Sequence, residues 1–183
     1  MPVSRFALPP ALVLVAALLS PPPATATTLL RQGLERLIRD NEVIVQAKVL
    51  DIHSYWNAEH TFILTDVHAR ASLGLKGRDA PDLTFTVMGG TVGDVTILVV
   101  GGVDLVPGSE YVLFLSRTDL PGAADRLTVR DHSQGVFVLQ KGRAYSQALR
   151  EPLAPDAEGR TDVPGGEAGL AIDELVRQVR EHR

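Results

Sequence analysis

The chain has 183 residues, of which 45% are hydrophobic, a formal net charge of −4 and no cysteine. Its length suits one domain with a core of its own. The absence of cysteine excludes disulfides, thiolate catalysis, lipid attachment through cysteine and zinc sites built on thiolates. The acidic charge and the low aromatic content, 5% of the chain, argue against nucleic acid as a partner.

The first 26 residues have the pattern of a cleavable export signal. Arg5 is the only charged residue among them, and Ala11–Leu19 is a continuous apolar run that ends before three prolines. Ala24 and Ala26 place small residues where a signal peptidase cuts. The apolar run is shorter than the roughly 20 residues that span a bilayer. Residues 1–26 are therefore predicted to be a signal peptide, and the mature protein is expected in a bacterial periplasm or outside the cell, without a stable membrane anchor.

A short amphipathic helix is predicted to open the mature domain. Thr28 is a suitable N-cap and Asn41 a suitable terminator. The apolar residues that recur at the spacing of one helix face are Leu30, Leu34, Leu37 and Ile38.

Alternating apolar and polar residues then predict several strands, and the first two are each expected to have one buried face. In the first two strands the alternation places Val45 and Val67 inside, and Lys48 and Arg70 outside. The predicted strands lie within 43–49, 63–73, 83–87, 95–99 and 111–115, and residues 127–129 and 136–138 are expected to form a last hairpin-like pair. Because short turns join these strands and no crossover helices separate them, the fold class is predicted to be mainly β, an antiparallel barrel or sandwich.

The composition changes after Tyr145. Residues 27–145 are predicted to form the β-barrel domain, and residues 146–169, rich in Pro and Gly, a linker. Residues 170–183 are predicted to form an amphipathic helix, and the apolar stripe of this helix consists of Ile172, Leu175, Val176 and Val179. We expect this helix to dock on the barrel; the alternative is an exposed helix that binds a partner.

The order of these segments resembles a known family. The residues that carry the resemblance are EVIVQAKVLDI, the strand closed by Leu75-Lys76-Gly77, DLTFTVM, GGTVG and PGSEYVLFL. In this order they resemble the OB-fold barrel of the tissue inhibitors of metalloproteinases and netrin-like modules, and also a group of uncharacterised exported bacterial proteins. The resemblance covers Thr28–Gln140 and implies an OB-like Greek-key barrel with a binding or protease-regulating role. In those inhibitors an N-terminal cysteine chelates the zinc of the protease, and this chain has no cysteine.

The loop after the first strand and a glycine-rich turn are the predicted partner-binding site. Aromatic and amide groups converge in this loop, and the glycine turn would let a partner approach backbone amides. The predicted contact residues are Tyr55, Trp56, Asn57, Gly89, Gly90 and Gly93. Two alternatives stay open: Trp56 closes the end of the barrel as a hydrophobic lid, and the glycines serve only a tight turn or bulge.

Histidines offer a weaker metal or catalytic alternative. His53 and His60 bracket the loop and, with Glu59, form a conceivable zinc-ligand set, to which His132 adds a fourth group. Their spacing matches no strong metal motif, and the sequence contains neither HExxH nor GxSxG. We therefore predict no catalytic residue, no metal and no cofactor.

The predicted function is an exported, non-catalytic binding or protease-regulating module whose partner is a protein, for example a protease, or a glycan. Two other classes of function remain as alternatives. One is a metal-dependent or hydrolytic envelope enzyme, and the other is an envelope scaffold protein.

Overall fold

The computed structural model describes residues 29–77, 81–151 and 153–182. The predicted signal peptide and Thr28 lie outside the described residues. Within these ranges the protein is mainly β, with two helices, α1 (Leu34–Asp40) and α2 (Ile172–His182). The strands are β1 (Val43–Trp56), β2 (Ile63–Lys76), β3 (Asp82–Met88), β4 (Gly90–Val92), β5 (Val95–Ile97), β6 (Glu110–Leu120), β7 (Ala123–Thr128), β8 (Val136–Gln140), β9 (Arg143–Ser146) and β10 (Leu170–Ala171).

The strands form one large antiparallel sheet and one small one. The large sheet has the order β10-β9-β8-β6-β1-β2-β3, with β7 paired to the second half of β6, and β4 pairs with β5 in the small sheet. In the described residues β3 and β7 are not hydrogen-bonded to each other, so the large sheet is open there rather than closed into a barrel.

An inner core lies on one face of the large sheet. Val45 and Val67 are buried in it, whereas Lys48 and Arg70 are exposed, which confirms the predicted register of the first two strands. The side chains buried in this core are Val45, Ala47, Val49, Val67, Ala69, Phe85, Val87, Leu105, Tyr111, Leu113, Leu115, Val129 and Val136.

A second core, the outer core, lies between the opposite face of the sheet and the two helices. Leu175 and Val179 of α2 are fully buried in it, so α2 docks on the sheet as expected. The buried members of the outer core are Leu37, Ile38, Ile44, Leu75, Val112, Phe114, Phe137, Ala144, Leu175 and Val179. The expectation of one buried face is therefore wrong for the first half of β1, because helices cover its second face. β6 is also buried on both faces.

The predicted pairing of residues 127–129 with 136–138 is also wrong. Both β7 and β8 pair with β6, and β8 pairs in addition with β9. Between them the chain makes a 3-10 turn, His132–Gly135, preceded by the buried Asp131. Asn41 Nδ2 donates to one Asp131 oxygen at 2.7 Å and Gln32 Nε2 to the other at 3.0 Å. These bonds hold the turn against the start of the domain. β7 and β8 therefore run in the same direction as each other, both antiparallel to β6, instead of folding back on each other.

The first helix is shorter than its apolar stripe predicts. It begins at Leu34, and its N-cap residue is Gly33, so no side-chain hydrogen bond caps the helix. Leu30 lies outside the helix and makes an isolated β-bridge with Ala154. Asn41 ends the helix as expected, and its Nδ2 donates to the Leu37 carbonyl at 3.0 Å. The chain between β9 and β10 includes a second 3-10 turn, Gln147–Arg150.

Candidate functional site

The loop between β1 and β2 is organised by one buried side chain, that of Asn57. Its Oδ1 accepts from the backbone N–H groups of Thr61 at 2.8 Å and Phe62 at 3.0 Å. Its Nδ2 donates to Thr61 Oγ1 at 3.1 Å and to the Pro121 carbonyl at 3.3 Å. Because all these bonds are internal to the protein, Asn57 fixes the loop and joins it to the tip of the β6–β7 hairpin.

Tyr55 lies on the outward face of β1, where the carboxylate of Asp66 accepts hydrogen bonds from two hydroxyl groups. Its hydroxyl donates to Asp66 Oδ1 at 3.1 Å, and Thr86 Oγ1 donates to the same oxygen at 2.6 Å. Burial, followed by the charge of Asp66, raises the pKa of the Tyr55 phenol above its usual 10.0. The His53 ring lies beside that of Tyr55, with centroids 6.2 Å apart and planes 17° apart. This face therefore presents two nearly parallel rings next to a carboxylate.

Ser54 lies on the opposite face of β1 and contacts the glycine-rich segment. Thr65 Oγ1 donates to the Gly89 carbonyl at 2.7 Å. Since that bond uses the only hydroxyl proton of Thr65, Ser54 Oγ is the donor in the 2.8 Å bond between the two hydroxyls. Gly90 has a φ of 135° and packs directly on both hydroxyl groups. The structure thus brings Gly89 and Gly90 onto the β1–β2 hairpin.

The predicted contact residues do not share one surface. Trp56 is half-buried and stacks on His60, with ring centroids 6.3 Å apart, while Tyr55 faces the other side of the strand and Asn57 is buried. Gly93 lies at the β4–β5 turn, where a Cβ atom would meet nothing within 4 Å. The six residues are therefore distributed over both faces of the hairpin and the tip of a second one.

The alternative metal ligands are also not gathered into a centre. Glu59 lies against Gly122 in the β6–β7 hairpin, His60 stacks on Trp56, and His53 is paired with Tyr55. Across residues 29–77, 81–151 and 153–182, no three His, Asp or Glu side chains come close enough to hold a metal ion. His132 borders a different cavity, beside Arg130 and Gly102.

A groove of about 610 Å³ opens between the end of β1, the small sheet and the segment that follows it. The residues that line it include Ile52 and Ser54 of β1, and Leu98 and Val99 of the segment after β5. Of the charged residues in the described ranges, only Asp104 lines it. The groove is therefore mainly apolar and uncharged along most of its length.

Exposed apolar side chains on the segments that border this groove form what we call the apolar rim. Leu98 is 89% exposed and Val100 is 79% exposed, although neither carries a polar group. The residues of the apolar rim are Leu50, Ile52, Val95, Leu98, Val100 and Val106. The alternation in the run VTILVV predicts a strand instead, so the exposure of Val95, Leu98 and Val100 was not expected from the sequence. The available signal was that this run is apolar at consecutive positions and is followed by two glycines.

The chain matches no family model, and no curated protein matches it significantly. Neither helix in the described residues combines the length and the apolar character needed to cross a bilayer.

Proposed function

We propose that the protein is an exported, non-catalytic module that binds another protein through the apolar rim. One observation carries the proposal: the exposed side chains of Ile52 and Leu98 line a single groove, and four further exposed apolar side chains lie on the segments that flank it. Monomeric soluble proteins rarely leave such a surface in contact with water, and surfaces of this kind mark interaction sites. The low charge of the groove favours a protein partner over a polyanion, and a protease is one partner of this class.

We propose further that the domain is an OB-like Greek-key barrel closed by side chains. Leu83 of β3 and Leu127 of β7 both pack on the inner core, and together with Val43 they line one cleft. In this arrangement apolar contact replaces the missing ladder of hydrogen bonds between β3 and β7. The groove then lies at one end of the barrel, where loops on a rigid scaffold commonly carry recognition.

Recovery of a partner from the native envelope tests the binding role. The purified mature protein, Leu98→Lys and Leu73→Lys serve as three baits, since Leu73 is also an exposed leucine but does not line the groove. We expect the unmodified protein and Leu73→Lys to retain the same protein, and Leu98→Lys to lose it by about tenfold or more. Equal recovery with Leu98→Lys, or recovery of a polysaccharide alone, would contradict the proposal.

Export is tested separately by mass spectrometry of the N-terminus. The small residues at Ala24 and Ala26 favour cleavage before Thr27, so material from outside the cytoplasm should begin at that residue. Membrane-bound protein that still begins at Met1 would show that the segment is an anchor instead.

A further inference from the structure

The edge of β1 beyond Val49 has no strand partner on the side away from β2. β6 pairs with β1 only over Val43–Lys48. The last backbone bonds on that side join Val49 to Gly108 and Ser109. In the part of the chain that the structure describes, no strand pairs with Leu50–Trp56 on this side. Such an open edge is a template for another strand.

The pairing with β2 identifies the backbone groups that point to this open edge. In an antiparallel ladder, successive residues direct their N–H and C=O groups to alternate sides. The Ile63 carbonyl accepts from Gly89 on the β3 side, so Leu64 directs its groups to Tyr55 on the β1 side. The residues that direct their backbone groups to the open edge are therefore Ile52, Ser54 and Trp56.

The side chains of this stretch connect the open edge to the groove. Ile52 and Ser54 line the groove, and Ile52 is 40% exposed. Residues that pair across two strands place their side chains on the same face of the sheet. A strand added at Leu50–Trp56 would thus direct every second side chain into the groove, toward Leu98. Apolar side chains at alternate positions fit that wall.

The charges near the groove are acidic. Asp104 lines it, and Asp51 lies on the same open stretch of β1, with its side chain on the face opposite to that of Ile52; both are exposed. Among the residues that the structure describes, no basic residue lines the groove. A partner segment with a basic residue beside its apolar positions would therefore be attracted to this edge, whereas an acidic segment would be repelled.

We infer that the partner binds by strand addition: an extended segment with alternating apolar residues and a basic end pairs with Leu50–Trp56 and fills the groove. This inference rests on the proposed function, because it specifies how a protein partner occupies the apolar rim. Main-chain hydrogen bonds supply the affinity in this mode, and the groove supplies the specificity.

Labelled synthetic peptides test the inference by fluorescence anisotropy. The probe is a pool of peptides as long as Leu50–Trp56, with Val, Leu or Ile alternating with Thr and with Lys at one end. The matched control pool has the same side chains but carries N-methyl groups on alternate residues, which removes the N–H donors of one strand edge. Ile52→Lys is the test variant, and Leu73→Lys is its control on another exposed apolar position.

We expect the pool to contain peptides that bind the protein with a Kd below about 0.1 mM. Ile52→Lys should weaken this binding at least tenfold, Leu73→Lys should leave it within twofold, and the N-methylated pool should not bind. Unfolding curves of both variants show whether each remains folded, and a folded Ile52→Lys that binds normally overturns the inference.

Other outcomes separate strand addition from the proposed function. Equal binding of the N-methylated pool overturns strand addition but keeps apolar recognition. A second such outcome is that no peptide binds, while the envelope experiment still recovers a partner that Leu98→Lys fails to retain. This result also overturns strand addition but keeps apolar recognition. A dimer in light scattering that Ile52→Lys dissociates assigns the edge to a second copy of this chain and also overturns the inference.

Discussion

Single residues at the β1–β2 hairpin have roles that their types alone do not reveal. Tyr55, Trp56 and Asn57 are consecutive, and their side-chain types predict one contact surface. Since β1 continues to Trp56, the first two side chains point to opposite faces of the strand. Asn57 uses its amide entirely within the protein. The composition of this stretch was visible in the sequence, but its faces depend on where the strand ends, which composition does not determine.

Gly90 and Gly93 should differ sharply when each is replaced by alanine. A Cβ atom on Gly90 would lie 2.5 Å from Ser54 Oγ and closer still to Thr65 Oγ1, at a φ of 135°. At Gly93 the φ is 58° and the surroundings are empty. We expect Gly93→Ala to lower the free energy of unfolding by about 1–2 kcal/mol, and Gly90→Ala to lower it by more than that. Urea denaturation of both variants measures the difference, and equal losses would mean that Gly90 does not pack on the two hydroxyls.

The Tyr55 phenol should titrate above the ordinary value. Burial and the charge of Asp66 favour its neutral form, which raises its pKa in the folded state. The stability that this contributes is complete below pH 10, and it is lost as the pH rises through the folded-state pKa, because the unfolded chain ionises first. The difference in phenolate absorbance between the protein and Tyr55→Phe reports this group among the three tyrosines.

A second variant separates the two causes of the shift. Asp66→Asn should lower the pKa of Tyr55 only in part, because burial, the larger cause, is retained. A Tyr55 titration at or below the ordinary value in the unmodified protein would contradict the arrangement of Tyr55 and Asp66.

At the scale of the elements, sequence periodicity predicted the strands that have one buried and one solvent-exposed face. The alternation in β1 and β2 placed Val45, Val67, Lys48 and Arg70 on the correct sides. It could not predict β4, because Gly90–Val92 is only three residues long and begins with glycine, so it offers no alternation to detect. It also could not predict which strands pair, since the choice between β6 and β8 as the partner of β7 depends on contacts distant in sequence.

The register of β2 is tested by two aspartate substitutions three positions apart. Val67 is fully buried in the inner core, so Val67→Asp should destabilise the protein by several kcal/mol or prevent folding. Arg70 is exposed, and its ion pair with Asp82 at 3.4 Å is open to solvent. Arg70→Asp should therefore cost about 1 kcal/mol or less. Thermal melts compare the two, and a larger loss with Arg70→Asp would place the register one residue out.

At the scale of the whole molecule, two cores share the same strands. In β1 Ile44 enters the outer core and Val45 the inner one, and in β6 Phe114 and Leu115 divide in the same way. The continuous apolar segment YVLFL is typical of a strand that is buried on both faces. It does not indicate whether another sheet or helices cover the second face. The apolar stripe of α2 indicated a docking surface. The sequence did not indicate that α1 and α2 together cover the face opposite the inner core.

Because β1 and β6 belong to both cores, we expect the domain to unfold in a single cooperative transition. Leu175→Ala opens a cavity in the outer core and should destabilise the protein by about 2–5 kcal/mol. The only tryptophan, Trp56, lies at the far end of β1, outside both cores, and its fluorescence reports the hairpin end alone. Far-UV circular dichroism reports the whole sheet. If the cores are coupled through the shared strands, Leu175→Ala shifts the urea midpoints of both signals equally.

The exposed Arg180→Ala serves as the control and should leave both midpoints nearly unchanged. A Trp56 midpoint that stays in place while the dichroism midpoint falls would show that the hairpin end unfolds independently of the helix-covered core.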